Sequence, residues 1–139
     1  MKALTVCQPW AWWIMSGGKR VENRKRRMAH RGPLVIHAGK SKCFHGTDDE
    51  ILAPDPTIVR PPVEEMPHQV LLGLVDVLDC LHFDEMDSNS VPLDQQQFCS
   101  GPFCIIIGNP RLFPEPIPWC GKQWLWTVPD EVIPADLRA

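Results

Sequence analysis

Fifteen prolines in 139 residues divide this chain into short runs. That is about twice the usual share. Each proline fixes its own φ and withholds a backbone donor. Five of them (Pro54, Pro56, Pro61, Pro62 and Pro67) crowd into residues 53–67. That segment is expected as a long exposed loop. Between the breaks lie apolar, β-branched runs at 2–7, 34–38, 69–83, 103–108 and 123–128, which read as strands. Gly73 marks an expected bulge in the longest of them. In the last, alternation puts Trp124 and Trp126 on one face. The segments 109–118 and 129–139 read as a connection and a weakly structured tail. Five or six short strands with one or two small helices predict a mostly β, α+β fold. Its expected form is a small, mostly antiparallel β-barrel rather than a βαβ sheet. The length suits one domain spanning 1–139.

One stretch stands apart. Residues 8–32 read QPWAWWIMSGGKRVENRKRRMAHRG. Pro9 suits the first turn of a helix. Trp10, Trp13 and Ile14 then make an apolar stripe at i, i+3, i+4. Gly17 and Gly18 end the helix, since one of them can take the left-handed conformation. Residues 19–24 read as extended, with Lys19, Val21 and Asn23 facing one way and Arg20, Glu22 and Arg24 the other. Residues 25–31 follow as an exposed basic loop. Residues 19–31 carry seven of the chain's 14 Lys and Arg against Glu22 alone, a local charge of +6. The whole chain is −3, so the remainder is −9. A single anionic partner at one place fits this asymmetry better than broad coating of DNA.

Six cysteines and no secretory leader suggest a cytoplasmic protein with reduced, mostly buried thiols. No apolar run is long enough to span a bilayer, so no membrane partner is expected. No metal and no cofactor are expected either. Cys43-x-His45, with His37 nearby, lacks the paired spacing of a zinc site, as does the Cys99–Cys104 pair. A short helix capped by Thr47 is expected over 46–52.

Three groups of residues carry candidate chemistry. Arg20, Arg24, Lys25, Arg26, Arg27 and Arg31 are candidate phosphate contacts; the plain alternative is a solvated loop. Trp10 and Trp12, beside the glycine pair, are candidates for base stacking, whereas Trp13, Trp124 and Trp126 read as core. Lys19, Glu22 and Asp76 are candidates for acid–base chemistry or for reading a base edge. Asp76 interrupts an apolar strand (GLVDVL), where a carboxylate is costly unless paired. Its plain alternative is one structural salt bridge.

The run QPWAWWIMSGGKRVENR resembles the signature of the ASCH domains, a β-barrel family of the PUA-like superfold. The matching residues are Gln8-Pro9-Trp10-Ala11, Gly17-Gly18-Lys19 and Glu22-Asn23-Arg24. Further similarity lies at 31–39, 71–80, 101–113 and 116–128, with 53–67 as an insertion. The resemblance implies a closed or nearly closed barrel with a cleft beside the first helix. It also implies RNA, single-stranded, or a modified nucleoside as the ligand. Some small members are amidohydrolases acting on N4-acetylcytidine through a lysine, a threonine three residues on and a later carboxylate. By position Lys19 matches the lysine, Glu22 replaces the threonine, and Asp76 stands where the carboxylate would be. Loss of the hydroxyl closes the covalent route and leaves an activated water. The expectations are therefore an RNA-binding or nucleobase-binding module first, an N4-acylcytidine amidohydrolase or ribonuclease second, and a protein-interaction module docking through 53–67 third.

Overall fold

A computed structural model describes residues 1–42 and 51–138. It contains strands β1 (Lys2–Gln8), β2 (Val21–Arg24), β3 (Gly32–Lys42), β4 (Val70–His82), β5 (Phe103–Pro118) and β6 (Leu125–Thr127). One α-helix, α1 (Trp10–Ser16), joins β1 to β2, and short 3-10 turns fill the connections. The strands form one curved sheet in the order β2-β5-β4-β3-β1-β6, a PUA-like half-barrel. All pairings are antiparallel except β1 with β3.

Alternation along β1 divides the molecule. Leu4 and Val6 point into a core shared with Ala11, Ile14 and Met15 of α1, and with Leu34, Ile36, Val75 and Ile105. Ala3 joins a second core with Val35, Leu74, Phe113, Trp126 and Ile133. The helix has only seven residues, too few to persist on propensity. Burial of its 11, 13, 14 and 15 positions holds it against the sheet. Pro9 is its N-cap, and its C-cap Gly17 remains right-handed. It is Gly18, at φ +84°, that supplies the left-handed turn into β2.

Two expectations change. Residues 109–118 are not a connection but the second half of a 16-residue strand, β5. Pro114, Pro116 and Pro118 recur at every second position, so their missing donors face one side. Beyond Ile106, β2 no longer pairs with β5, so that side has no ladder to interrupt. The segment after β6 is also better anchored than a loose tail, because Ile133 is fully buried in the second core. Cys7 is disulfide-bonded, which corrects the expectation of six reduced thiols; Cys80, Cys99, Cys104 and Cys120 are free. Cys43, His45 and Thr47 lie outside the described residues, and Ile51 and Leu52 carry no helix. Among the described residues no helix is long and apolar enough to cross a membrane.

Gly73 sits where the β4–β5 register shifts, the place a bulge was expected. A Cβ there would lie 2.2 Å from the Arg111 carbonyl oxygen and 2.7 Å from the Met15 methyl. Gly73→Ala is expected to cost about 1–3 kcal/mol through overpacking. Gly108→Ala, where a Cβ meets only a Leu78 methyl at 3.2 Å, should cost much less. Denaturant unfolding of the two variants checks the difference.

Candidate nucleic-acid interface

The half-barrel leaves a seam. β6 pairs with β1 only at Lys2, Ala3 and Leu4, so the second half of β1 has no strand on that side. β2 is the opposite end of the sheet. Between them opens a cleft of about 1260 Å³. Thr5 and Cys7 of β1 line one wall, and Glu22, Asn23 and Arg24 of β2 the other. Trp10, Lys19 and Phe98 also line it, as do Lys40 at the end of β3 and Lys122 to Trp124 before β6.

A buried charge relay bridges the seam. Lys19 and Glu22 are 3% and 8% exposed. Lys19 Nζ donates to Glu22 Oε1 at 3.2 Å. Arg24 donates to Glu22 Oε2 through Nε at 3.0 Å, and its Nη2 lies 2.8 Å from the same oxygen. Arg24 Nη2 also donates to the Thr5 carbonyl at 2.7 Å, which caps part of β1's unpaired edge. The ammonium of Lys19 lies 5.3 Å from the Trp10 ring centroid and 5.9 Å from that of Phe98, within cation–π range. Burial alone raises the Glu22 carboxyl, but the Lys19 and Arg24 charges outweigh it and hold it below its ordinary value. Lys19 and Glu22 meet because Lys19 precedes β2 rather than belonging to it. The expected alternation, which put them on opposite faces, does not extend that far.

Side-chain amides brace the walls. Asn23 Nδ2 donates to the Phe98 carbonyl at 2.7 Å, and its Oδ1 accepts from the Ser100 and Gly101 amides at 2.9 Å. Buried Gln95 accepts from the Arg20 amide at 2.7 Å and donates to the Gly18 carbonyl at 2.9 Å. Opposite, the His37 ring contacts the Trp119 carbonyl at 2.7 Å and the Thr5 hydroxyl at 3.2 Å. Thr5 in turn donates to the Lys122 carbonyl at 3.0 Å. A Cβ on Gly121 would stand 2.5 Å from the His37 ring, so only glycine lets this loop close over it.

The predicted site residues separate. Trp10, Lys19, Glu22, Arg24, Lys25 and Arg26 all line the cleft. Asp76 does not. Its two oxygens accept from Arg111 and Asn109, each at 3.0 Å, which holds it below the usual carboxylate range. Asp76 takes the salt bridge that was its plain alternative, which offsets the cost of a carboxylate in an apolar strand. Trp12 is absent from the cleft lining; its ring packs edge-on against Trp13 at 5.1 Å. Arg20 folds back on the carbonyls of Ile14 and Lys19. Arg27 pairs with Glu85 at 2.5 Å, and Arg31 lies 3.5 Å from Asp79; both also stand outside the lining. Lys40, Lys122 and Trp124 were not expected there. Lysines far apart in the chain carry no shared pattern, and Trp124 read as core because the strand was taken to begin too early.

The electrostatic balance is one-sided. Among the described residues, Lys19, Arg24, Lys25, Arg26, Lys40 and Lys122 line the cleft against Glu22 alone. Lys25, Arg26, Lys40 and Lys122 pair with no carboxylate among the described residues. No His, Cys, Asp or Glu cluster among those residues could hold a metal ion. Burial first, then the neighbouring Cys104, pushes the Cys99 thiol up to about 11, so it is a poor nucleophile near neutral pH.

A PUA-like half-barrel with a cationic, aromatic cleft in its seam defines the class. A sequence profile of the ASCH domain matches residues 4–127. Activating signal cointegrator 1 of Homo sapiens is 31% identical over 132 residues, and that of Mus musculus 30%. Each alignment covers 93% of this chain but 22% of the relative, so the chain spans under a quarter of their length. The protein belongs to the ASCH domain family.

Glu22→Gln leaves the buried Lys19 and the half-buried Arg24 facing a neutral amide. A loss of about 3–5 kcal/mol of stability is expected, as for other broken buried pairs. In the wild type, the unfolded chain takes up the Glu22 proton near its ordinary value of 4.5, before the folded chain does. Stability should therefore fall as pH drops through and below that value. Glu22→Gln should flatten part of that fall in urea titrations across acid pH.

Proposed function

We propose that this protein binds single-stranded RNA, or a nucleotide carrying a modified base, in the seam cleft. The observation that carries the reading is the balance, among the described residues, of six cations against one already neutralised carboxylate in a cleft with aromatic walls. The unpaired cations stand on both sides: Lys25 and Arg26 follow β2, while Lys40 and Lys122 stand opposite. A chain of phosphates between two such rims releases counterions at each contact. Among the described residues, the buried Lys19 has one hydrogen-bond partner for its three donors. It is therefore equipped to donate to a base carbonyl or to a phosphate oxygen. The ASCH family's association with nucleic acid agrees with this reading.

Binding is favoured over amidohydrolase or nuclease chemistry for two reasons. Both oxygens of Glu22 are already engaged by Lys19 and Arg24, which leaves no free carboxylate among the described residues of the cleft. Asp76, the third member of the expected constellation, is engaged by Arg111 and Asn109 instead. Lys19-dependent turnover of N4-acetylcytidine would overturn the preference.

The salt dependence of binding to a single-stranded oligonucleotide tests the reading. Affinity should fall linearly with salt on logarithmic axes. Lys25→Ala and Lys122→Ala should each reduce the slope by about 0.7, the value for one phosphate on a single strand. Arg27→Ala, whose guanidinium is engaged by Glu85 outside the cleft, should leave the slope unchanged. Binding that is absent or insensitive to salt contradicts the proposal.

A further inference from the structure

We infer that Trp124 is the base-stacking platform of the cleft and that Arg26 occupies the platform in the absence of ligand. This inference rests on the nucleic-acid reading of the cleft and assigns the residue that senses the base rather than the phosphate. Three observations converge on Trp124. It lines the cleft while packing on its inner side against the main core. Its backbone stands at φ +58°, in the left-handed region that a bulky side chain rarely enters. Such strain persists where surrounding structure enforces it, and it concentrates at ligand sites. The turn also takes Trp124 out of the strand alternation, so that Trp126 enters the second core while Trp124 is left at the cleft.

The third observation concerns what covers the ring. The Arg26 guanidinium carbon lies 4.5 Å from the Trp124 ring centroid. Arg26 is exposed and pairs with no carboxylate among the described residues. A planar cation over an indole face occupies the space that a planar base takes when it stacks. The contact also links the end of β2 to the start of β6, the two ends of the sheet. A base entering the seam takes the indole face, and the displaced guanidinium is then free to meet a phosphate. Trp10 differs from Trp124 in this respect, since its ring is already engaged with the buried Lys19 ammonium.

The test compares a short single-stranded oligoadenylate with its abasic ribose-phosphate counterpart of equal length, by fluorescence polarisation. Wild-type protein should bind the oligoadenylate more tightly. Trp124→Leu should lower oligoadenylate affinity about 5- to 150-fold, the range for loss of one stacked base, and leave abasic affinity unchanged. Trp124→Phe should retain most of the base-dependent gain, with thermal unfolding checking that both variants fold. Arg26→Gln, an exposed change, should leave abasic binding unchanged, because the guanidinium stays on the indole when no base displaces it, and should lower the salt slope for the oligoadenylate alone by about 0.7, one phosphate contact. The inference is overturned if Trp124→Leu weakens both oligomers equally or neither, or if Arg26→Gln changes the salt slope of both oligomers alike. If wild-type protein binds the abasic oligomer as tightly as the oligoadenylate, the platform fails while the nucleic-acid reading stands. If it binds neither, that reading fails and the platform with it.

Discussion

The Glu22 carboxylate, held between Lys19 and Arg24, is the constraint on which the seam depends. A half-barrel has two ends, and here the end strand β2 faces the unpaired half of β1 with no ladder between them. One arginine spans the gap, bound on one side to Glu22 and on the other to the Thr5 carbonyl. The buried Lys19 and Glu22 charges, with the half-buried Arg24 beside them, are costly unless each is engaged. The geometry meets that condition by giving both carboxylate oxygens a donor and setting the Lys19 ammonium between two aromatic rings. The seam thus stays a cleft instead of closing into a ladder or collapsing.

The cations sort by whether a carboxylate neighbours them. Arg27, Arg31 and Arg111 meet Glu85, Asp79 and Asp76 outside the cleft, and their pairing is structural. Lys25, Arg26, Lys40 and Lys122, which meet no carboxylate among the described residues, line the cleft. The cleft lining therefore does not follow sequence density: Arg20, Arg27 and Arg31 stand outside it, while Lys40 and Lys122 join it from distant segments. The aromatic surface shifts in the same way, with Trp12 replaced by Trp124.

Much of the fold was legible for a physical reason. Alternating residues in β1 and the β-branched runs of β3, β4 and β5 have one way to bury their apolar faces, and Gly73 marked the bulge. The proline-rich half of β5 was not legible, because prolines forbid a ladder only on the side where a ladder exists. Within the site, Lys19, Glu22 and Arg24 were legible because they lie within six residues of one another. Asp76 misled because a mid-strand carboxylate signals a partner without saying which. Its partner Arg111 stands across the β4–β5 register, in a segment taken to be irregular. The place of Trp124 in the cleft was hidden because it depends on a left-handed backbone turn that periodicity does not register.

The tryptophan indole N–H signals of labelled protein, followed by NMR as a single-stranded oligonucleotide is added, test the central claim most directly. If the seam between β1 and β2 is the binding cleft, the Trp10 and Trp124 signals move, and those of Trp12 and of Trp126, whose indole donates to Thr5 from the second core, move far less. Movement centred on Trp12, or saturable binding that leaves Trp10 and Trp124 unperturbed, contradicts it.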